Sequence, residues 1–107
     1  MLAANQKVTE AKAKVKEGKF EEAITILDAA HKANAKDAEV KAALAETHLK
    51  YGDFFMYNEQ LPPMRKYPSA LKQYRAVLTY DAANKDAKQK IATIEGIYKS
   101  MGRPIPQ

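Results

Sequence analysis

The 107-residue sequence predicts an all-α protein of five helices stacked as helix–turn–helix hairpins. Three features of the chain lead there. Apolar residues recur every three to four positions in five successive stretches, without the strict alternation of a half-buried strand. Helix-breaking residues separate these stretches, at Gly18, 34–37, 52–53, 62–63 and 80–84. The chain also repeats itself. Gly52 follows Gly18 and Ala45 follows Ala11 by 34 positions; Ala70 follows Ala23, Tyr74 follows Leu27, Val77 follows Ala30 and Ile91 follows Leu44 by 47. The difference, 47 − 34 = 13, is the size of an insertion near residues 54–66.

The first helix, residues 4–17, is rich in Ala, Lys, Glu and Val, with Ala4, Val8, Ala11 and Val15 on one face. Its apolar stripe is thin, so it leans on a neighbour. Gly18 ends it, because glycine readily takes the left-handed conformation of a helix C-terminus. The second helix, 20–34, buries Phe20, Ala23, Ile24, Leu27, Ala30 and the edge residue His31, and places Glu21 and Glu22 at the positive end of its dipole. Asp37 is the N-cap of the third helix. The turn before it is short enough to lay the third helix antiparallel to the second.

Val40, Ala43, Leu44 and Thr47 mark the inner face of the third helix, with Tyr51 a turn further on; it either ends at Gly52-Asp53 or extends through part of the segment that follows. The following segment concentrates apolar bulk: Phe54, Phe55, Met56, Tyr57, Leu61, Met64 and Tyr67. Such a segment either folds back over the core or serves as a partner or self-association arm, and both fates are open to different residues. Pro62-Pro63 is extended or turned, and the fourth helix is expected to start near Pro68 with Ala70, Leu71, Tyr74, Val77 and Leu78 inward. The fifth, 85–100, carries Ile91, Ile94 and Tyr98 on one side, with Met101 just beyond. Residues 102–107 read as an extended tail of polyproline character.

This length suits one small domain with a modest core. The chain has no cysteine, which removes disulfides, thiolate metal sites and thiol nucleophiles and fits either a reducing or an oxidising compartment. No run of about 18 apolar residues occurs, and no leader segment is visible at the start. A soluble protein is expected, cytoplasmic or a periplasmic or exported mature form, and the chain can equally be part of a longer one. The formal charge of +5 arises mostly from lysines interleaved with acidic residues. Arg65, Arg75 and Arg103 are scattered, so the balance reads as a solvated helical surface, and nucleic acid is an unlikely partner.

The sequence offers little to an enzyme. His31 and His48 are the only histidines, short of the three or four ligands a metal needs. There is no phosphate-binding glycine loop, nucleophile elbow or paired catalytic carboxylate. No catalytic, metal or cofactor-binding residue is expected.

The 34-residue spacing of Gly18 and Gly52, the small residues Ala11, Ala45, Ala23, Ala70 and Ala30, and the aromatics Phe20 and Phe54 or Tyr67 after each glycine resemble the tetratricopeptide repeat. The resemblance spans nearly the whole chain. Residues 4–37 would be repeat one, 38–84 repeat two with the insertion 54–66, 85–101 a capping helix and 102–107 the tail. It departs from the family at Lys7 and Lys41, where a large aromatic is usual, at Glu10 for a leucine, at Val77 for an alanine, and at Ala35 and Ala82 for a proline.

The resemblance implies a non-enzymatic adaptor or scaffold that binds a protein or peptide on a concave face lined by the first helix of each pair. Carried to matching positions, that face is Asn5, Val8, Lys12, Val15 and Lys16 with Glu39, Ala42, Glu46, Leu49 and Lys50; Asp86 and Gln89 would extend it. The carboxylate clamp of one subgroup is not supported, because Val8, Lys12 and Ala43 stand at three of its positions. Phe55, Met56 and Tyr57 are further contact candidates on the insertion. A homo-oligomeric structural element, or a weak binder of anionic polymers such as nucleic acid or membrane headgroups, is the alternative.

Overall fold

A computed structural model describes residues 2–107, with side chains from Gln6 onward. It contains five helices and, among the described residues, no strand: α1 (Leu2–Lys16), α2 (Phe20–Ala33), α3 (Ala38–Met56), α4 (Pro63–Tyr80) and α5 (Lys85–Ser100). Each packs against its successor, and α1 also touches α3. The result is a stack of antiparallel hairpins, elongated to 50 × 27 × 19 Å.

Local chemistry sets most of the boundaries. Gly18 adopts φ +78°, and its N–H and that of Lys19 bond back to the carbonyls of Val15 and Lys14, closing the end of α1 in a Schellman turn. Asp37 accepts from the backbone N–H groups of Glu39 and Val40 at 3.0 and 3.2 Å, and Asn84 from that of Ala87 at 2.9 Å, so α3 and α5 both start on a side-chain cap.

The core has two parts. Val8, Ala11, Ala23, Leu27, Val40, Ala43 and Leu44 join α1, α2 and α3. Ala45, Ala70, Leu71, Tyr74, Val77, Ala87, Ile94 and Tyr98 join α3, α4 and α5. The repeat is visible in these two sets. Ala23 and Ala70 are both fully buried, as are Leu27 and Tyr74. Each large side chain removed from water in this way contributes about 1.5–3 kcal/mol. Helix α3 supplies both cores and is the shared wall of the molecule, while Tyr80 packs against both.

Two boundaries concern the insertion: α3 takes the longer of the two ends open to it, and the start of α4 differs from the sequence reading. Helix α3 does not stop at Gly52-Asp53 but runs on to Met56. Glycine within a helix costs about 1 kcal/mol. Continuing the helix places Phe55 and Met56 against the α3–α4–α5 core, and their burial outweighs that cost. Helix α4 starts at Pro63, not near Pro68. Pro62 is extended (φ −69°, ψ 153°) and Pro63 takes the first helical position, where the missing N–H is harmless. Pro68 therefore lies inside α4 and deprives the Met64 carbonyl of its backbone donor.

The thirteen extra residues are thus mostly helical. Moved by 34, the end of α1 at Lys16 falls on Lys50, and α3 continues six residues further, to Met56. Moved by 47, the start of α2 at Phe20 falls on Tyr67, and α4 begins four residues earlier, at Pro63. The remaining three lengthen the connection from 17–19 to 57–62. The second hairpin accordingly overhangs the first by about two helical turns, roughly 9 Å at 1.5 Å per residue.

Candidate functional site

A cleft of about 180 Å³ lies between α1 and α3. Its floor is made of small and aliphatic side chains, Ala11, Val15, Leu27, Ala43 and Thr47, and its rim of Lys12, Lys16, Glu46 and Lys50. The small residues have a mechanical reason to be there. They let the parallel helices α1 and α3 approach with equivalent positions level, so the groove runs along both. Lys50 Nζ is paired with Glu46 at 3.1 Å. Lys12 and Lys16 are exposed and have no carboxylate within ion-pair distance among the described residues. The rim is therefore cationic, over an apolar floor.

Of the residues carried over from the family, Lys12, Val15, Lys16, Glu46 and Lys50 come together in this cleft. Ala42 and Leu49 line a neighbouring one, between α3 and the α4–α5 turn, with Ala45, Tyr80 and Asn84. Glu39, Asp86 and Gln89 are exposed and line neither. Val8 is a correction: it is 4 % exposed and belongs to the α1–α2–α3 core. The Asn5 side chain lies outside the described residues. Ala11, Leu27, Ala43 and Thr47, which form the floor, are core or repeat positions in the sequence, Ala43 also standing at a clamp position of the family. Their small size at facing positions of α1 and α3 is the feature that could have marked them.

The second cleft has a structural cause. In the repeat template Lys90 of α5 matches Ala43 of α3, 47 positions earlier. Instead Lys90 Nζ reaches Asp53 Oδ1 at 2.6 Å and stands 5.3 Å from the centre of the Tyr57 ring. Helix α5 packs on α4 and reaches α3 near its far end, and one face of the first half of α3, with Ala38, Lys41 and Ala42, lines the second cleft.

The insertion divides by face. Phe55 and Met56 are half-buried and pack on the α3–α4–α5 core together with Tyr67. Phe54 is 49 % exposed and leans on Phe20 at 5.6 Å, while Tyr51 stacks on Phe20 at 4.9 Å. Tyr57 and Met64 stand in solvent at 63 % and 64 %. Burial first, then the charge of Glu21, holds the Tyr51 phenol above its ordinary pKa.

Asp53, Tyr74 and Lys90 tie α3, α4 and α5 together. The Tyr74 hydroxyl donates to Asp53 Oδ1 at 2.6 Å, the same oxygen that receives Lys90. Burial, then this hydrogen bond and the charges of Asp53, Tyr57 and Asp86, push the Tyr74 phenol far up. For Lys90, burial alone would lower the pKa; the hydrogen bond and charge of Asp53, with Asp86, outweigh it and leave the ammonium raised. The network is structural and opens into none of the clefts described. The histidines are structural too. His31 meets the Tyr80 ring edge-on at 5.4 Å, His48 stacks on it at 5.9 Å, and His48 Nδ1 is hydrogen-bonded to Gln73 Oε1 at 2.8 Å. Among the described residues no three His, Cys, Asp or Glu side chains converge as metal ligands.

Residues 14–54, from the last turn of α1 through most of α3, match the family model described as Tetratricopeptide repeat. In that match and in its five-helix hairpin architecture the chain is similar to a tetratricopeptide repeat protein. Neither a curated protein nor a solved structure matches it. The matched segment includes Lys16, Ala43, Glu46, Thr47 and Lys50 of the cleft between α1 and α3. A repeat of this kind suggests a protein–protein interaction or scaffold role, in a family that is generally non-enzymatic. Among the described residues no helix is long and apolar enough to cross a membrane.

Proposed function

We propose that the protein is a non-enzymatic adaptor that holds an extended, acidic peptide segment of a partner protein in the cleft between α1 and α3. The observation that carries this reading is the pairing of an apolar floor with lysines that lack an internal counter-charge, Lys12 and Lys16. Extended chains suit such a groove: alternate side chains reach the floor, and carboxylates meet the rim. The ion pairs are exposed and individually weak, so they provide orientation and encounter rate more than affinity. Binding is expected in the micromolar range or weaker and falls as salt screens the rim.

The test is a set of fluorescent twelve-residue peptides with the same aliphatic residues and either acidic, neutral or basic intervening positions, titrated by anisotropy. The acidic set binds the native chain best, and Lys12→Glu with Lys16→Glu weakens it by about ten-fold or more. Equal binding of all three sets, or no effect of the double reversal, contradicts the reading.

A further inference from the structure

Helices α3 and α5 end, and α4 begins, at the same end of the stack. The four large apolar side chains that stand more than a third exposed among the described residues, Phe54, Tyr57, Met64 and Met101, all lie at that end. Arg65 follows Met64 in the chain and Lys99 and Arg103 flank Met101, while the Tyr57 ring stands 5.3 Å from Lys90 Nζ, which Asp53 and Asp86 already hold. Arg65, Lys99 and Arg103 are exposed and Lys66 is half-buried; none has a carboxylate within ion-pair distance among the described residues. Arg103 Nη1 reaches Met64 Sδ at 3.1 Å, which places a guanidinium directly beside an exposed thioether. Of the acidic residues toward this end, Asp53 holds Lys90, Glu17 holds Lys19 and Glu22 holds Lys14, while Glu21 and Glu95 form no ion pair among the described residues. On the outer side Glu59 stands without such a pairing.

We propose that this end of the molecule docks on an anionic lipid bilayer surface. Three physical points favour a bilayer. The surface is made of helix ends and the 57–62 connection, and Tyr57, Met64 and Met101 line none of the clefts described, so it suits a deformable interface better than a fitted pocket. Its apolar members are a tyrosine and two methionines; tyrosine is favoured at the headgroup level, and methionine adapts to irregular apolar surroundings. The adjacent arginines and lysines complement acidic headgroups while their stems follow the apolar residues inward. One shallow anchor with a basic rim gives reversible attachment, not insertion. The site is separate from the α1–α3 cleft and does not depend on the adaptor reading.

The experiment is vesicle co-sedimentation of the full chain, with vesicles of phosphatidylcholine alone or with one-quarter phosphatidylserine. Binding to the anionic vesicles at about 50 mM salt is expected to exceed that to neutral ones by about ten-fold, and to fall by a similar factor at about 300 mM. Arg65→Glu, Lys99→Glu and Arg103→Glu together abolish it, whereas Lys12→Glu with Lys16→Glu leaves it in place. Tyr57→Ser with Met64→Ser changes exposed side chains only, and reduces binding several-fold even if the triple reversal disturbs the fold. Equal binding to both vesicle types, equal loss in the α1 double reversal, or capture of polyglutamate with no vesicle binding overturns the proposal; the last result would assign this end to an acidic polypeptide.

Discussion

A Cβ placed on Gly52 would meet the Tyr74 ring at 2.6 Å, closer than van der Waals contact allows. Tyr74 cannot move aside freely, because it is fully buried and its hydroxyl is held by Asp53. Helix α3 can therefore lie on α4 this closely only with glycine at position 52. Alanine normally stabilises a helix interior by about 1 kcal/mol over glycine. Gly52→Ala is expected to reverse that sign and destabilise by about 1–3 kcal/mol through overpacking. Gly96→Ala, at an exposed helical position with open space around its Cβ, is expected to stabilise by up to about 1 kcal/mol. Urea denaturation of the two variants checks both signs.

The shared acceptor Asp53 Oδ1 makes the Tyr74 and Lys90 contacts interdependent. Tyr74→Phe removes one hydrogen bond and is expected to cost about 1 kcal/mol, with Lys90 still neutralising Asp53. The alkaline behaviour follows by linkage. Both groups have folded-state pKa values raised above their ordinary ones, so the folded protein retains protons that the unfolded chain releases. Their contribution is complete below about pH 10 and is lost as pH rises beyond it. Stability measured from pH 9 upward should fall more steeply in the native chain than in Tyr74→Phe.

Adjacent phenylalanines in the insertion should behave differently. Phe55 packs on the α3–α4–α5 core, whereas Phe54 is half in solvent against Phe20. Phe55→Ala is expected to cost about 2–3 kcal/mol, and Phe54→Ala less than about 1. Similar losses in the two variants, followed by thermal or urea unfolding, would contradict the division of the insertion by face.

Much of this architecture is legible in the chain because the same residue types recur at the same positions. Ala23 with Ala70 and Leu27 with Tyr74 disclose two equivalent helix pairs before any contact is known. What escaped was the use of equivalent residues in unequal surroundings. Gly18 and Gly52 hold the same place in the repeat, yet one ends a helix with positive φ and the other seats a ring inside one. The difference lies in the Phe55 and Met56 that follow Gly52, whose burial depends on α4 and α5, far along the chain. Val8 lies in the core and not on the concave face for a related reason. The thin apolar stripe of α1 leaves few side chains to reach the core, so Val8 turns inward instead of lining the groove. Lys12 and Lys16 stand in the sequence among the concave-face positions; the Ala43 and Thr47 floor of the cleft they line is not legible there, because its depth depends on how closely α1 and α3 approach.

The adaptor reading makes the α1–α3 cleft the place where a partner lies. Titrating the acidic peptide into isotope-labelled protein and following backbone amide shifts locates it directly. The account predicts perturbations centred on Lys12, Val15, Lys16, Ala43, Thr47 and Lys50, with α5 unchanged. Perturbations confined to Tyr57, Met64 and Met101, or spread evenly over the lysines of every helix, would contradict it.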